Sequence, residues 1–153
     1  MARSGFTICR GSYCLSDLLS ISAAERENAL CMFRRIFGDD YGAVLAEQLG
    51  EGHFNLVLMC RIAPNIWEYP LPELKVKLLI AIAVCAAVHQ DVRYFVRAAI
   101  HHGISRAEVE GSLLLAGLEG GFPAAGVARR LVEQGYADHQ AFLLSIGKPL
   151  VAW

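Results

Sequence analysis

The feature that most constrains the fold of this chain is an unbroken apolar run from Leu78 to Val88. The run has eleven residues, whereas a helix that crosses a membrane needs about 20. An apolar segment too short to span a bilayer is typical of a helix buried on all sides. Because a domain of 153 residues cannot easily surround such a helix, we expect the chain to form a stable oligomer.

Composition excludes several classes of partner and cofactor. The net charge of -1 gives no basic field for nucleic acid, and no segment is predicted to enter a membrane. The five cysteines are odd in number, lack the paired spacing of a structural zinc site and follow no secretory segment, so reduced thiols in the cytoplasm are expected. With no ligand cluster and no glycine-rich loop after a strand, the sequence predicts no metal and no cofactor.

The order of helix signals predicts one all-α domain. No segment shows sustained alternation of apolar and polar residues, so no β-sheet is expected. Residues 1–21 lack a helical period and are interpreted as an irregular N-terminal arm that contains Cys9 and Cys14. The helical domain is predicted over residues 22–147, followed by a C-terminal tail over residues 148–153.

Capping residues, glycines and prolines predict where the helices begin and end. The predicted helices are Ser22 to Phe37 before Gly38, Asp40 to Leu49, His53 to Ile62, Pro72 to Val88, Asp91 to His102 before Gly103, Ser105 to Glu119, Pro123 to Gln134, and a short helix from Asp138 to Gly147. Pro64 and Pro70 are expected to bracket a loop that carries Trp67 and Tyr69.

Four short segments in a fixed order resemble a known family. They are Gly38-Asp39, Trp67-Glu68-Tyr69-Pro70, Phe95-Val96-Arg97-Ala98-Ala99 with Gly103, and Gly121-Phe122-Pro123-Ala124-Ala125. Their order and spacing are similar to those of the carboxymuconolactone decarboxylase family, a branch of the AhpD-like proteins, over roughly residues 25–136. The resemblance implies an AhpD-like all-α domain that assembles as a homo-oligomer, a trimer or a hexamer.

This chain departs from the family at the positions that carry its chemistry. Phe95 stands where the decarboxylases have a histidine, and phenylalanine neither accepts nor donates a proton. The two cysteines and the histidine of the redox branch correspond to Val88, Asp91 and Phe95, and its glutamate corresponds to Leu78. The resemblance therefore implies that neither the usual acid–base chemistry nor thiol peroxidase chemistry is retained.

Three residues are candidates for a rebuilt catalytic site. Arg61, where the decarboxylases carry a histidine, is predicted to hold a carboxylate or an oxyanion, or else to form an interface salt bridge. Lys77, where they carry an arginine, is either a cation that faces an anion or a lysine that extends to solvent. His89 lies at the break where the family pocket opens, and is either the replacement base or an exposed helix-terminal histidine.

Further residues are candidates for substrate binding. Trp67 and Tyr69 are expected to line the pocket or to pack beneath it, and Phe95 is expected to form part of the pocket wall. Asp91 is expected either at the pocket or, in the interpretation we favour, as a helix N-cap. Cys85 precedes His89 by four positions, so the two side chains are expected on one face of a helix, where they would form a nucleophile–base pair. The alternative, which we favour, is that Cys85 is a small buried thiol.

These residues lead to three hypotheses of function. The first, which we prefer, is a cofactor-independent decarboxylase, lyase, isomerase or cyclase that acts on a small, rather apolar organic acid or cyclic metabolite, for example in secondary metabolism. The second is a non-catalytic oligomeric binding or scaffold protein. The third is a thiol-dependent redox protein that uses Cys85 or the Cys9 and Cys14 pair.

Overall fold

The computed structural model describes residues 20–49 and 53–153, and these residues form helices joined by short connections, without a strand. In chain order the elements are α1 Ala23–Phe37, α2 Asp39–Leu49, α3 His53–Val57, a π-helical segment Leu58–Ile62, α4 Ala63–Trp67, α5 Leu74–Ala87, α6 Arg93–His101, α7 Arg106–Gly120 and α8 Phe122–Ser145. The all-α prediction is confirmed for the described residues. Most of the predicted arm over residues 1–21 lies outside them, including Cys9 and Cys14.

Two capping boxes start helices where the sequence predicts them. At α1 the Ser22 backbone N–H donates to a Glu25 carboxylate oxygen at 2.7 Å, and the Glu25 backbone N–H donates to the Ser22 hydroxyl at 3.2 Å. Ser105 and Glu108 repeat the exchange at the start of α7, at 3.0 and 3.3 Å. Each box satisfies N–H groups that the first turn of a helix leaves without a partner in the helix.

The predicted loop from Pro64 to Pro70 is wrong, because α4 includes both Pro64 and Trp67. Proline is tolerated at the start of a helix, where its missing N–H removes no hydrogen bond. The π-helical segment before α4 provides such a start within one continuous helical path. The loop is limited to residues 68–73, so Tyr69 lies in it and Trp67 does not.

Asp138 does not start a separate short helix, because α8 continues through it to Ser145. Gly135, next to the predicted break, is accommodated inside the helix where α8 crosses α6 closely. A Cβ atom on Gly135 would lie 3.2 Å from the Arg93 Cα atom and 3.2 Å from the Val96 Cβ atom. This glycine therefore serves helix packing and not a turn.

Within one chain α5 is not buried on all sides, although the apolar run forms most of it. One face packs on α6, α7 and α8, and its buried residues are Leu78, Ile82 and Ala86. The opposite face carries residues that are 43–54% exposed, namely Val76, Ile80 and Val84. The prediction of complete burial is wrong for the single chain, while the oligomer stays a prediction. In the described ranges, no helix combines the length and apolar character that crossing a membrane requires.

The tail over residues 148–153 packs on the helical domain. The Trp153 indole Nε1 donates to the Ile104 carbonyl oxygen at 2.7 Å. The Tyr136 hydroxyl donates to the Val151 carbonyl oxygen at 3.0 Å, and the Tyr136 and Trp153 rings stack with their centroids 5.8 Å apart. These contacts fix the end of the chain against α8 and the segment before α7.

Candidate functional site

A cavity of about 560 Å³ lies between α4, the loop after it and one side of α5. It is termed here the Trp67 pocket. Its largely apolar lining consists of Asn65, Ile66, Trp67, Tyr69, Leu71, Pro72, Lys77, Ile80, Ala81 and Val84. Apolar walls with a few polar groups are typical of sites for small organic molecules. The structure thus brings together three of the predicted site residues, which are Trp67, Tyr69 and Lys77.

The Lys77 ammonium group is held at the wall of this pocket by backbone carbonyl groups. Its Nζ donates to the carbonyl oxygens of Ile66 at 3.1 Å and Trp67 at 2.9 Å, and makes a third hydrogen bond to that of Tyr69. Carbonyl groups at a helix end lack partners in the helix and carry partial negative charge. Lys77 therefore fixes the end of α4 to α5. No carboxylate of the described residues lies within ion-pair distance of its Nζ.

Phe95 lies behind the pocket wall. Its ring stacks on Trp67, with centroids 5.8 Å apart and an angle of 28° between the rings, and approaches the Phe37 ring at 6.4 Å. The side chain is half-buried against the hydrophobic core and is not among the residues that line the pocket. Phe95 therefore supports Trp67 from the core side.

Arg61 is engaged within its own chain. Its Nε donates to Glu25 Oε1 at 2.7 Å, and its Nη2 donates to the Ser20 carbonyl oxygen at 2.5 Å. The hydrogen bond from Arg61, together with those from Ser22, lowers the pKa of Glu25 to about 2. These contacts tie the π-helical segment to the start of α1, and Arg61 does not line the Trp67 pocket.

His89 and Asp91 lie at the break between α5 and α6. The His89 backbone has φ of 58°, and its exposed side chain neither lines the Trp67 pocket nor forms a hydrogen bond with another described residue. The Asp91 carboxylate accepts from the Arg93 backbone N–H at 2.9 Å and from its guanidinium at 2.7 Å, and these hydrogen bonds lower the pKa of Asp91. Asp91 thus caps the first turn of α6, although Val92 occupies the N-cap position itself.

Cys85 is half-buried on α5. Burial raises the pKa of its thiol, and the negative charge of Asp91 acts in the same direction. A raised pKa reduces the thiolate fraction that nucleophilic and redox chemistry require. This environment is that of a small buried thiol and does not favour the thiol-dependent hypothesis.

Arg97 is a buried cation that the sequence analysis did not identify as a site residue. It is 8% exposed, and its Cζ lies 3.3 Å from the centroid of the Tyr41 ring and 4.9 Å from that of Phe142. It lines a second cavity of about 300 Å³, and burial lowers the pKa of its guanidinium. Arg97 lies between Val96 and Ala98 in an apolar stretch, and this position in the sequence predicts that its side chain is buried. Arginine is seldom fully buried unless it is paired.

Comparison with protein-family models, with curated proteins and with solved structures gives no match for this chain. The resemblance to the carboxymuconolactone decarboxylase family therefore stays a prediction. Within the part of the chain that the structure describes, no three His, Cys, Asp or Glu side chains are grouped to hold a metal ion.

Proposed function

We propose that this protein binds a small, largely apolar organic acid or cyclic metabolite in the Trp67 pocket and transforms it without a cofactor, as a decarboxylase, another lyase, an isomerase or a cyclase. The observation that carries the proposal is the Lys77 ammonium group in the wall of an apolar cavity of about 560 Å³. Apolar walls favour a hydrocarbon body, and a cation without a carboxylate partner among the described residues favours an anionic group beside it.

The contacts of Lys77 also indicate how a substrate carboxylate would be received. Its three N–H groups are occupied by carbonyl oxygens, of which that of Ile66 at 3.1 Å is more distant than that of Trp67 at 2.9 Å. A hydrogen bond from an ammonium to a carboxylate is stronger than one to a neutral carbonyl. A carboxylate therefore displaces one carbonyl oxygen, that of Ile66 in the first place, and its binding weakens the attachment of α4 to α5.

Lys77 is the residue on which the proposed chemistry rests. Decarboxylation and isomerisation beside a carboxyl or carbonyl group develop negative charge on the substrate, and a fixed cation stabilises that charge. Of the three candidate catalytic residues, Lys77 lines the pocket, while Arg61 and His89 do not. A reaction in this pocket therefore takes its charge stabilisation from Lys77 and not from Arg61.

A second candidate is a non-catalytic binding protein. It is favoured by the pairing of Arg61 with Glu25 at 2.7 Å and by the exposed position of His89 outside the pocket lining. Neither side chain is placed beside Lys77 to move a proton. This candidate predicts the same preference for apolar acids, without conversion of the bound molecule.

Calorimetric titration with straight-chain carboxylates of increasing length tests the binding. Affinity should rise about fourfold with each methylene, because burial of one CH₂ contributes about 0.8 kcal/mol. The methyl esters should bind more weakly than the acids. Lys77→Met should remove this preference, whereas the matched control Lys75→Met, which removes a lysine paired with Glu108 on the exposed side of α5, should retain it.

Product analysis by NMR on the same mixtures separates the two candidates. Conversion that Lys77→Met slows supports the enzyme, and saturable binding without conversion supports the binding protein. Equal affinities for acids and esters in the wild-type protein would contradict the role of Lys77. Failure of the whole series to bind would contradict the Trp67 pocket as a ligand site.

We also propose that the chain assembles as the AhpD-like homo-oligomer, a trimer or hexamer, that the resemblance implies. The support is an apolar groove of about 440 Å³ between α5 and α7, lined by Val76, Leu79, Ile80, Ala83, Glu108, Gly111, Ser112 and Leu115. A second copy that covers this groove would bury the exposed face of α5 and restore the complete burial that its sequence predicts.

A further inference from the structure

Helix α5 carries an exposed apolar stripe along its length. Val76, Ile80 and Val84 recur every four residues, which places them on one face of the helix. They are 43–54% exposed in the single chain. These three residues are termed here the α5 ridge.

An apolar concavity lies on each side of the α5 ridge. On one side is the Trp67 pocket of about 560 Å³, which Ile80, Ala81 and Val84 help to line. On the other side is the groove of about 440 Å³ between α5 and α7, which Val76, Ile80 and Ala83 help to line. Ala81 and Ala83 lie on opposite flanks of Ile80 on the helix, and Ile80 borders both concavities. The ridge therefore separates the pocket from the groove.

The far side of the groove is an apolar stretch of α7. Leu115 lines the groove, and so does Gly111. A Cβ atom on Gly111 would have no atom within 4 Å apart from its chain neighbours and the adjacent backbone of α7. Leu118 follows Gly111 by seven residues, so it lies on the same face of α7, where it is 69% exposed. The groove is therefore open enough to receive side chains from another helix.

The exposed apolar surface of α5 and α7 is as large as that of a protein interface. The fractional exposures of the α5 ridge and of Leu114, Leu115 and Leu118 correspond to roughly 700 Å², close to the about 800 Å² that each partner contributes to a stable complex. An apolar surface of this size is rarely left exposed on a monomer. Its two concavities and the ridge between them make it complementary to itself, which favours a second copy of the chain as the partner.

From these observations we infer that two copies pair about a two-fold axis, with the α5 ridge of each copy seated in the groove between α5 and α7 of the other. Helices pack by placing the ridge of one into the groove of the other, and a two-fold axis uses the same surface on both copies. Because the groove of the partner lies between its own ridge and its own α7, that α7 reaches the opposite side of the first ridge. Leu118 of the partner subunit then lies over the Trp67 pocket.

This pairing concerns the pocket of the proposed function and rests on it for the identity of the ligand. The apolar body of the acid is enclosed between Trp67 and Leu118 of the partner subunit, so the site is complete only in the pair. A two-fold contact is present in a dimer or a hexamer, whereas a trimer with three-fold symmetry alone has none.

Sedimentation velocity tests the pairing. Gly111→Leu fills the groove with a residue that favours a helix more than glycine does, so it should weaken pairing at least about tenfold without unfolding the chain. Gly126→Leu is the matched control, because a Cβ atom there also meets open space but Gly126 does not line the groove. It should pair as the wild-type protein does at micromolar concentration.

Quenching of Trp67 fluorescence by acrylamide tests the closure of the pocket without any ligand. Trp153→Phe leaves Trp67 as the one tryptophan of the sequence. Its quenching constant should fall at least about twofold from the diluted single chain to the pair, because the centre of an interface excludes solvent. Leu118→Ala should raise quenching in the pair and not in a Gly111→Leu background, since Leu118 does not line the pocket of its own chain.

The outcomes separate this pairing from the proposed function. A wild-type monomer, a pair that Gly111→Leu leaves intact, or quenching that does not change on pairing overturns the inference. If Gly111→Leu does not fold, dilution of the Trp153→Phe protein compares the single chain with the pair. Pairing that protects Trp67 without binding of straight-chain carboxylates contradicts the proposed function alone. Equal affinity for these acids in the single chain and in the pair overturns the completion of the site and leaves the proposed function intact.

Discussion

Glu25 shows how one residue can carry several contacts, since its carboxylate closes the capping box of α1 and pairs with Arg61. Its pKa is about 2 in the folded chain and about 4.3 for an unperturbed glutamate. Because the folded pKa is the lower one, this contribution to stability is present above about pH 4.3 and is lost as the pH falls toward about 2. Glu25→Gln should therefore reduce the loss of stability between pH 6 and pH 3, as measured by urea denaturation. Glu27→Gln is the control. The prediction would be contradicted if Glu25→Gln lost as much stability between pH 6 and pH 3 as the wild-type protein does.

Phe95 is expected to act through packing and not through proton transfer. Its ring lies between Trp67 and Phe37, with centroid distances of 5.8 and 6.4 Å. Phe95→His introduces the residue type that the decarboxylases carry at the position the resemblance aligns with Phe95. It places a polar ring in an apolar contact and should lower the free energy of unfolding by about 2 kcal/mol. It should not accelerate conversion in the Trp67 pocket, and Phe95→Leu should keep more of the stability. A large gain in turnover with Phe95→His would contradict a rebuilt site that works without a histidine at this position.

At the scale of the helices, substitution of two glycines tests how closely the elements pack, because Gly42 lies against another helix and Gly126 does not. A Cβ atom on Gly42 of α2 would lie 2.4 Å from the Phe33 carbonyl oxygen and 2.7 Å from the Arg34 Cα atom, both on the backbone of α1. Gly42→Ala should therefore force α1 and α2 apart and cost about 3 kcal/mol or more of stability. A Cβ atom on Gly126 of α8 would have no atom within 4 Å apart from its chain neighbours and the adjacent backbone of α8, so Gly126→Ala should instead stabilise the chain by about 1 kcal/mol. Denaturant midpoints of both variants measure this, and a neutral Gly42→Ala would exclude the close crossing.

The helices also show which features could be predicted from the sequence. The capping boxes at Ser22 and Ser105 were predictable because their bonding groups lie three residues apart on one helix. Pro64 does not distinguish a loop from a helix, because proline is compatible with both a loop and a helix start, and no sequence signal marks the π-helical segment before it. The position of Lys77 among backbone carbonyls depends on the path of the loop over residues 68–73, which has no local sequence pattern. The side chains that surround Arg97 come from three helices that are far apart in the sequence.

At the scale of the whole molecule, the Trp67 pocket and the cavity beside Arg97 are formed by different helices. The Trp67 pocket opens beside the exposed face of α5, where Ile80 and Val84 belong to both. The Arg97 cavity lies on the side formed by α2, α6 and α8. Assembly through the face of α5 would therefore alter the mouth of the first cavity and leave the second unchanged, so oligomer formation and acid binding at Lys77 should be coupled.

The assembly itself is the last prediction, and it concerns the apolar surface of α5 and α7. Leu114, Leu115 and Leu118 of α7 are 66–69% exposed in the single chain, and Leu115 lies beside Val76 and Ile80 of the exposed face of α5. Burial of such side chains stabilises an interface, whereas a carboxylate there would be buried without a partner. Light scattering should give an oligomer at micromolar concentration for the wild-type protein and a smaller species for Leu115→Glu. Leu144→Glu, a matched change at a residue 64% exposed near the end of α8, should leave the oligomer intact, and a wild-type monomer would refute the assembly.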